Sequence, residues 1–119
     1  MSSKRKFLLA AFRGDLMCFV HVMLNALDLK KEGHTVEILL EGESTKIPKL
    51  YLSDPKLDFY PLWNQILENK LITSVCRACS KKMDGYDAAV ELKLPINGDM
   101  SGHPPLAKWI SDGFEIITF

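Results

Sequence analysis

Lys6 introduces an unbroken apolar run, Phe7 to Phe12, that Arg13 and Asp15 close. A short continuous run of this kind is expected of a strand buried on both faces. The next segment changes period. Between Leu16 and Leu29 the polar positions are only His21, Asn25 and Asp28, on one narrow stripe with Cys18. This predicts a helix, with Asp15 as N-cap, Lys30 and Lys31 in the last turn and Gly33 as the left-handed stop. "HTVEILLEGE" then reads as a second strand ending in a glycine loop, so strand, helix and strand form a parallel crossover unit. Prolines 48, 55 and 61 break the following stretch into short pieces, and a helix is expected from about Leu57 to Asn69 with Pro61 near its first turn. "LITSV" predicts a third strand. "RACSKKMDGYDAAVELKL" predicts one helix broken near Gly85, or two short ones. "LPIN" is a fourth strand, "GDMSGHPP" a turn-rich loop, "PLAKWISDG" a last helix and "FEIITF" a fifth strand.

Helices alternating with apolar strands predict an α/β protein, a three-layer α/β/α sandwich with a mostly parallel five-stranded sheet, in a single domain over residues 1–119. In such sheets ligands collect beyond the carboxyl ends of the strands. The loops there are "RGD" (13–15), "EGES" (41–44), "CRAC" (76–79) and "GDMSGH" (98–103). The first helix is apolar over far more than the roughly 100° needed to cover a sheet, which favours a homo-oligomer in which part of it meets a second subunit.

Composition narrows the function classes. Fifteen basic and fifteen acidic residues cancel, leaving no electrostatic footprint for nucleic acid or an anionic membrane. The six-residue run Phe7 to Phe12 falls short of a signal h-region, and no run reaches the roughly 18 apolar residues of a membrane span. A cytoplasmic protein is expected. Three cysteines, Cys18, Cys76 and Cys79, are an odd count, and in a reducing compartment they are expected as free thiols.

"SVCRACSKKMDGYD" holds the candidate chemistry. Zinc asks for four ligands, and the chain has neither a second CxxC nor an HxxxH pair. A thioredoxin-like dithiol would use the same CxxC, but the hairpin expected near its C-terminus is missing. Inert buried thiols suit Cys18 best and Cys79 fairly well. Cys76 stands at a strand-to-helix junction, where exposed N–H groups, Arg77, Lys81 and Lys82 would stabilise a thiolate, the reactive species. His103, in the glycine-rich loop, could serve as base if the loops converge, with Asp99 or Ser101 orienting it. His21 and His34 read as structural. No phosphate-binding glycine spacing, nucleophile elbow or paired carboxylates appear. Neither a metal nor an organic cofactor is required.

Taken together, "FVHVMLNALDLKKEGHTVEILLEGE", "LITSVCRACSKKM" and "DMSGHPPLAKWISDGFEIITF" resemble the DsrE/DsrF-like family, and most of all its small stand-alone members. The resemblance implies an α/β/α domain with a five-stranded parallel sheet, often assembled as trimers or hexamers. It further implies a persulfide carried on the cysteine after the third strand, here Cys76. The expectation is a sulfur-relay or sulfurtransferase-like protein that exchanges sulfane sulfur with donor and acceptor proteins, Cys79 and His103 assisting. The alternative is a binding or regulatory module with redox-sensitive Cys76 and Cys79.

Overall fold

The computed structural model describes residues 3–119. Five strands, β1 (Lys6–Ala11), β2 (Thr35–Leu40), β3 (Ile72–Cys76), β4 (Ile96–Asn97) and β5 (Glu115–Thr118), form one sheet in the order β4-β3-β2-β1-β5. Every pairing is parallel. The sheet register slips between Ile38 and Leu39, so that Ile38 pairs with Ile72 and Leu39 with Ser74. Among the described residues, six α-helices accompany the strands: α1 (Leu16–Lys31), α2 (Ile47–Ser53), α3 (Tyr60–Glu68), α4 (Arg77–Lys82), α5 (Tyr86–Glu91) and α6 (Leu106–Ser111). The α/β/α architecture with a parallel five-stranded sheet is therefore as expected from the pattern.

The two faces of the sheet are covered unequally. On one face Phe7, Leu9, Ala11, Val36, Ile38 and Leu40 pack against α1, α2, α3 and α5 through Phe19, Met23, Ile47, Tyr51, Trp63, Ile66 and Ala89. Tyr51 and Trp63 stack there with ring centroids 4.9 Å apart. On the other face Leu8, Ala10 and Leu39 meet Trp109 of α6, whose indole N–H donates to Glu37 Oε1 at 2.9 Å. The Thr73 hydroxyl donates to the same oxygen at 2.7 Å. Side chains alternate across a strand. Cys76, two residues beyond Ser74, thus belongs to the thinly covered face that Ser74 shares with Leu39.

Two local outcomes, at α2 and at the start of α3, differ from the sequence pattern, and a third, the break at Gly85, follows it. Proline 48 does not break the chain: it occupies the first turn of α2, where its missing N–H has no intrahelical partner to lose. A 3-10 turn, Gly42–Lys46, leads into that helix. α3 starts at Tyr60 rather than Leu57, because Phe59 takes a left-handed conformation (φ 66°) that no helix can include. The stretch after Cys76 divides into α4 and α5, and Gly85 at the break serves a second purpose. A Cβ there would lie 2.1 Å from the carbonyl oxygen of Thr45, so only glycine permits this approach to the 3-10 turn. Among the described residues, no helix is long and apolar enough to cross a membrane.

Candidate functional site: a Cys–Cys–His cluster

No linker separates β3 from α4. Cys76 is both the last residue of the strand and the N-cap of the helix, with its Sγ accepting the Cys79 N–H at 3.4 Å. The loop after β4 folds back onto this junction. Gly102 N–H donates to Gly98 O at 2.9 Å, while Met100 and His103 exchange backbone bonds of 2.8 and 2.9 Å, closing the loop on itself. The Gly102 carbonyl then accepts the Ala78 N–H at 2.9 Å. Gly102 has φ 96°, a conformation that favours glycine.

This docking brings together residues that are 24 or more positions apart. Cys76 Sγ lies 3.1 Å from His103 Nδ1, and Cys79 Sγ lies 3.8 Å from the same nitrogen. All three donor atoms fall within 4.8 Å of one another. Cys76 Sγ is also 3.7 Å from the Gly102 carbonyl. Cys76 is buried, whereas Cys79 and His103 are partly exposed. The cluster thus joins a buried sulfur to two partly exposed side chains.

The electrostatics run against the sequence expectation. Burial pushes the Cys76 thiol up to about 12, the bond from the Cys79 N–H opposes that rise, and the Cys79 thiol and the charge of Glu41 reinforce it. Two of the three cations proposed to favour a thiolate, Arg77 and Lys81, are engaged elsewhere. Arg77 lays its guanidinium against Gly98, where a Cβ would come within 2.7 Å of Cζ. The Lys81 ammonium sits 5.0 Å over the Tyr86 ring. Burial thus disfavours the Cys76 thiolate, and the thiol is not an easily ionised one. A six-residue helix and a neighbouring arginine do not offset the loss of water around sulfur.

The remaining candidates separate cleanly. Asp99 and Ser101 are exposed, and the Asp99 N–H turns back to Asn97 Oδ1 at 3.0 Å. Neither side chain hydrogen-bonds His103. Cys18 lies on α1 beside a groove lined by Arg13, His21, Asn25 and Phe119, outside the cluster. His34 is structural, accepting the Arg5 N–H at Nδ1 (3.0 Å) and meeting Phe7 edge-on. Glu41 was not singled out by the sequence. Its carboxyl is half-buried and raised above the usual range by desolvation, an effect that the charge of His103 opposes. The signal was available: Glu41 follows Leu39 by two, so strand alternation directs it to the same face as Cys76.

No family model matches the chain. It is 33% identical over 103 residues to the uncharacterized protein MJ0733 of Methanocaldococcus jannaschii, a match covering 87% of this chain and 81% of the archaeal protein. The chain belongs to the same family as MJ0733. A solved structure of a conserved protein of unknown function, BT1422 from Bacteroides thetaiotaomicron, superposes with a TM-score of 0.64 at 21% identity. That match covers 96% of this chain and 94% of that one, and shows a shared fold. Among the described residues of this chain, Cys76, Cys79 and His103 bring two thiols and an imidazole together.

Proposed function

We propose that this chain is a DsrE-like persulfide carrier, in which Cys76 receives sulfane sulfur and passes it on. The observation that carries the reading is the 3.1 Å approach of His103 Nδ1 to Cys76 Sγ. A buried thiol needs an immediate proton acceptor, and the imidazole is in place to be one. In the loading step the Cys76 proton passes to His103 and the sulfur attacks the outer sulfur of a donor persulfide. The donor S–S bond breaks, a Cys76 persulfide forms, and the donor leaves as a thiolate that takes up the proton. In unloading, His103 takes the proton of an acceptor thiol, whose sulfur attacks the outer sulfur. The Cys76 S–S bond breaks, and Cys76 leaves as a thiolate that recovers that proton. No electrons are gained or lost overall, and no cofactor is consumed.

Cys79 supports a second course. Attack of its sulfur on Cys76 Sγ of the persulfide would release hydrogen sulfide and leave a Cys76–Cys79 disulfide, turning carriage into discharge. Free thiols of this kind suit a reducing compartment such as the cytoplasm. A trimer or hexamer of identical chains belongs to the same reading: Met17 and Leu24 stand exposed on α1, and sedimentation would report the assembly.

Intact-mass measurement after incubation with a small persulfide donor tests the proposal. The expected result is a gain of one sulfur on the wild type, abolished in Cys76→Ser and retained in Cys79→Ser. His103→Gln should slow loading by about 100-fold, the scale of a positioned general base. Equal labelling of Cys18, Cys76 and Cys79 would remove the case for a dedicated carrier.

A further inference from the structure

We propose that Cys76, Cys79 and His103 together bind a thiophilic divalent cation, zinc(II) by the chemistry of the donors, with the fourth position open to water. The sequence argued against zinc because four ligands were not visible in it. Two thiols and one imidazole with an open fourth position are, however, the donor set of a catalytic rather than a structural zinc. Nothing in the spacing of "CRAC" and "GDMSGH" showed that the second loop supplies the third donor. The fold does, by tying Gly102 to Ala78.

The distances suit the ion. A tetrahedral zinc, with Zn–S of about 2.3 Å and Zn–N of about 2.0–2.1 Å, separates S from N by about 3.6 Å and S from S by about 3.8 Å. Here the two S···N separations, 3.1 and 3.8 Å, bracket that value, and the sulfurs lie within 4.8 Å of each other. Closing on an ion takes a shift of about 1 Å or less. Cys79 and His103 are partly exposed, so the ion has a route in.

Charge points the same way. Placing a lone thiolate in a buried position is costly, because its charge loses water. Two thiolates around a divalent cation sum to zero, so the ion supplies the compensation that Arg77 and Lys81 do not. Binding would release the two thiol protons to solvent. Glu41, partly buried and two residues beyond Leu39, lies on the same sheet face as Cys76 and places a carboxyl group beside the site. The proposal does not depend on the carrier reading. Where both hold, metal and sulfur compete for Cys76, and occupancy would switch the carrier off.

Cobalt(II) titration of the full-length, reduced, chelator-stripped protein tests the site. The expected result is one equivalent bound, with a thiolate-to-cobalt charge-transfer band and the intense visible bands of four-coordinate cobalt, bleached by added zinc. Cys79→Ser and His103→Gln, both changes at partly exposed positions, should each weaken binding by at least about 100-fold, more than loss of an outer partner costs. Circular dichroism confirms that each variant is folded. A spectrum of six-coordinate cobalt without charge transfer would overturn the proposal, as would unchanged affinity in either variant. Persulfide loading measured on the stripped protein fails or succeeds separately, so the two ideas are tested apart.

Discussion

Two strand-to-helix junctions at the carboxyl edge of the sheet use the same cap and reach opposite ends. At the first, Asp15 caps α1, its Oδ1 accepting the Cys18 N–H at 2.8 Å. At the second, Cys76 caps α4, its Sγ accepting the Cys79 N–H at 3.4 Å. Both side chains accept from the residue three positions on. Yet the N–H bonds from Cys18 hold the Asp15 carboxyl below the usual range, while burial drives the Cys76 thiol far above it. The difference lies in the connection. Phe12 to Gly14 separate β1 from Asp15 and carry that cap out into solvent. β3 runs directly into α4, so Cys76 remains a residue of the sheet face. A helix N-terminus favours an anion only modestly, and desolvation outweighs it once water is gone. What distinguishes a reactive cap from a guarded one is therefore the length of the loop before it.

The strongest way to break this comparison is to give the second junction the side chain of the first. Cys76→Asp places a carboxylate where water is excluded and the charge of Glu41 is near, with His103 able to partner one oxygen only. The expected cost is on the order of 3 kcal/mol of folding stability, read as a lower denaturant midpoint. A variant as stable as the wild type would mean the junction is wetter than the burial of Cys76 indicates.

The converse exchange moves a thiol to the exposed cap. In Asp15→Cys the new thiol stands in solvent at the N-terminus of a 16-residue helix, conditions that lower rather than raise a thiol's pKa. Alkylation by iodoacetamide near neutral pH, followed peptide by peptide, should label it more than about 100-fold faster than Cys76, because an ordinary thiol near 8.5 is far more ionised than one near 12. Equal rates would show that His103 already holds the Cys76 proton at rest, sharpening the carrier mechanism and undoing the contrast between the caps.

The sequence displayed the sheet and hid the site's depth, for reasons that can be traced residue by residue. Apolar runs such as Phe7–Phe12 and "HTVEILL" announce strands buried on both faces, since nothing polar interrupts them. Asp15, Gly33 and the terminal lysines mark α1 because capping is local in sequence. α2 was concealed because Pro48 reads as a breaker unless one knows it opens the helix. The identities of Cys76, Cys79 and His103 were legible from residue type and loop position. Their separations were not, because these depend on the loop 98–103 closing on itself and docking on Ala78. Nor was the state of Cys76. "CRACSKK" looks basic as text, but Arg77 and Lys81 turn to Gly98 and Tyr86. Charge in a string says how many cations are near in sequence, not which way they face.

The smallest expected effect isolates what the exposed cap contributes. The Asp15 carboxyl titrates below its unfolded value, so its charge stabilises the fold above the unfolded pKa of about 3.9. That contribution is lost as pH falls through the lower folded value, where the native state too becomes protonated. Asp15→Asn keeps an acceptor for the Cys18 N–H but removes the charge. Denaturant midpoints of wild type and variant should differ modestly at pH 7, favouring the wild type, and converge once the pH falls below the lowered folded value of Asp15. Glu115 and Asp84, lowered by Arg5 and Lys49, titrate in both proteins and cancel in the difference. Raising the salt should shrink the gap at pH 7, because an exposed charge at a helix end is screened. A gap that ignores both pH and salt would assign the capping effect of Asp15 to its hydrogen bond alone, and the two junctions would then differ in solvation without differing in charge.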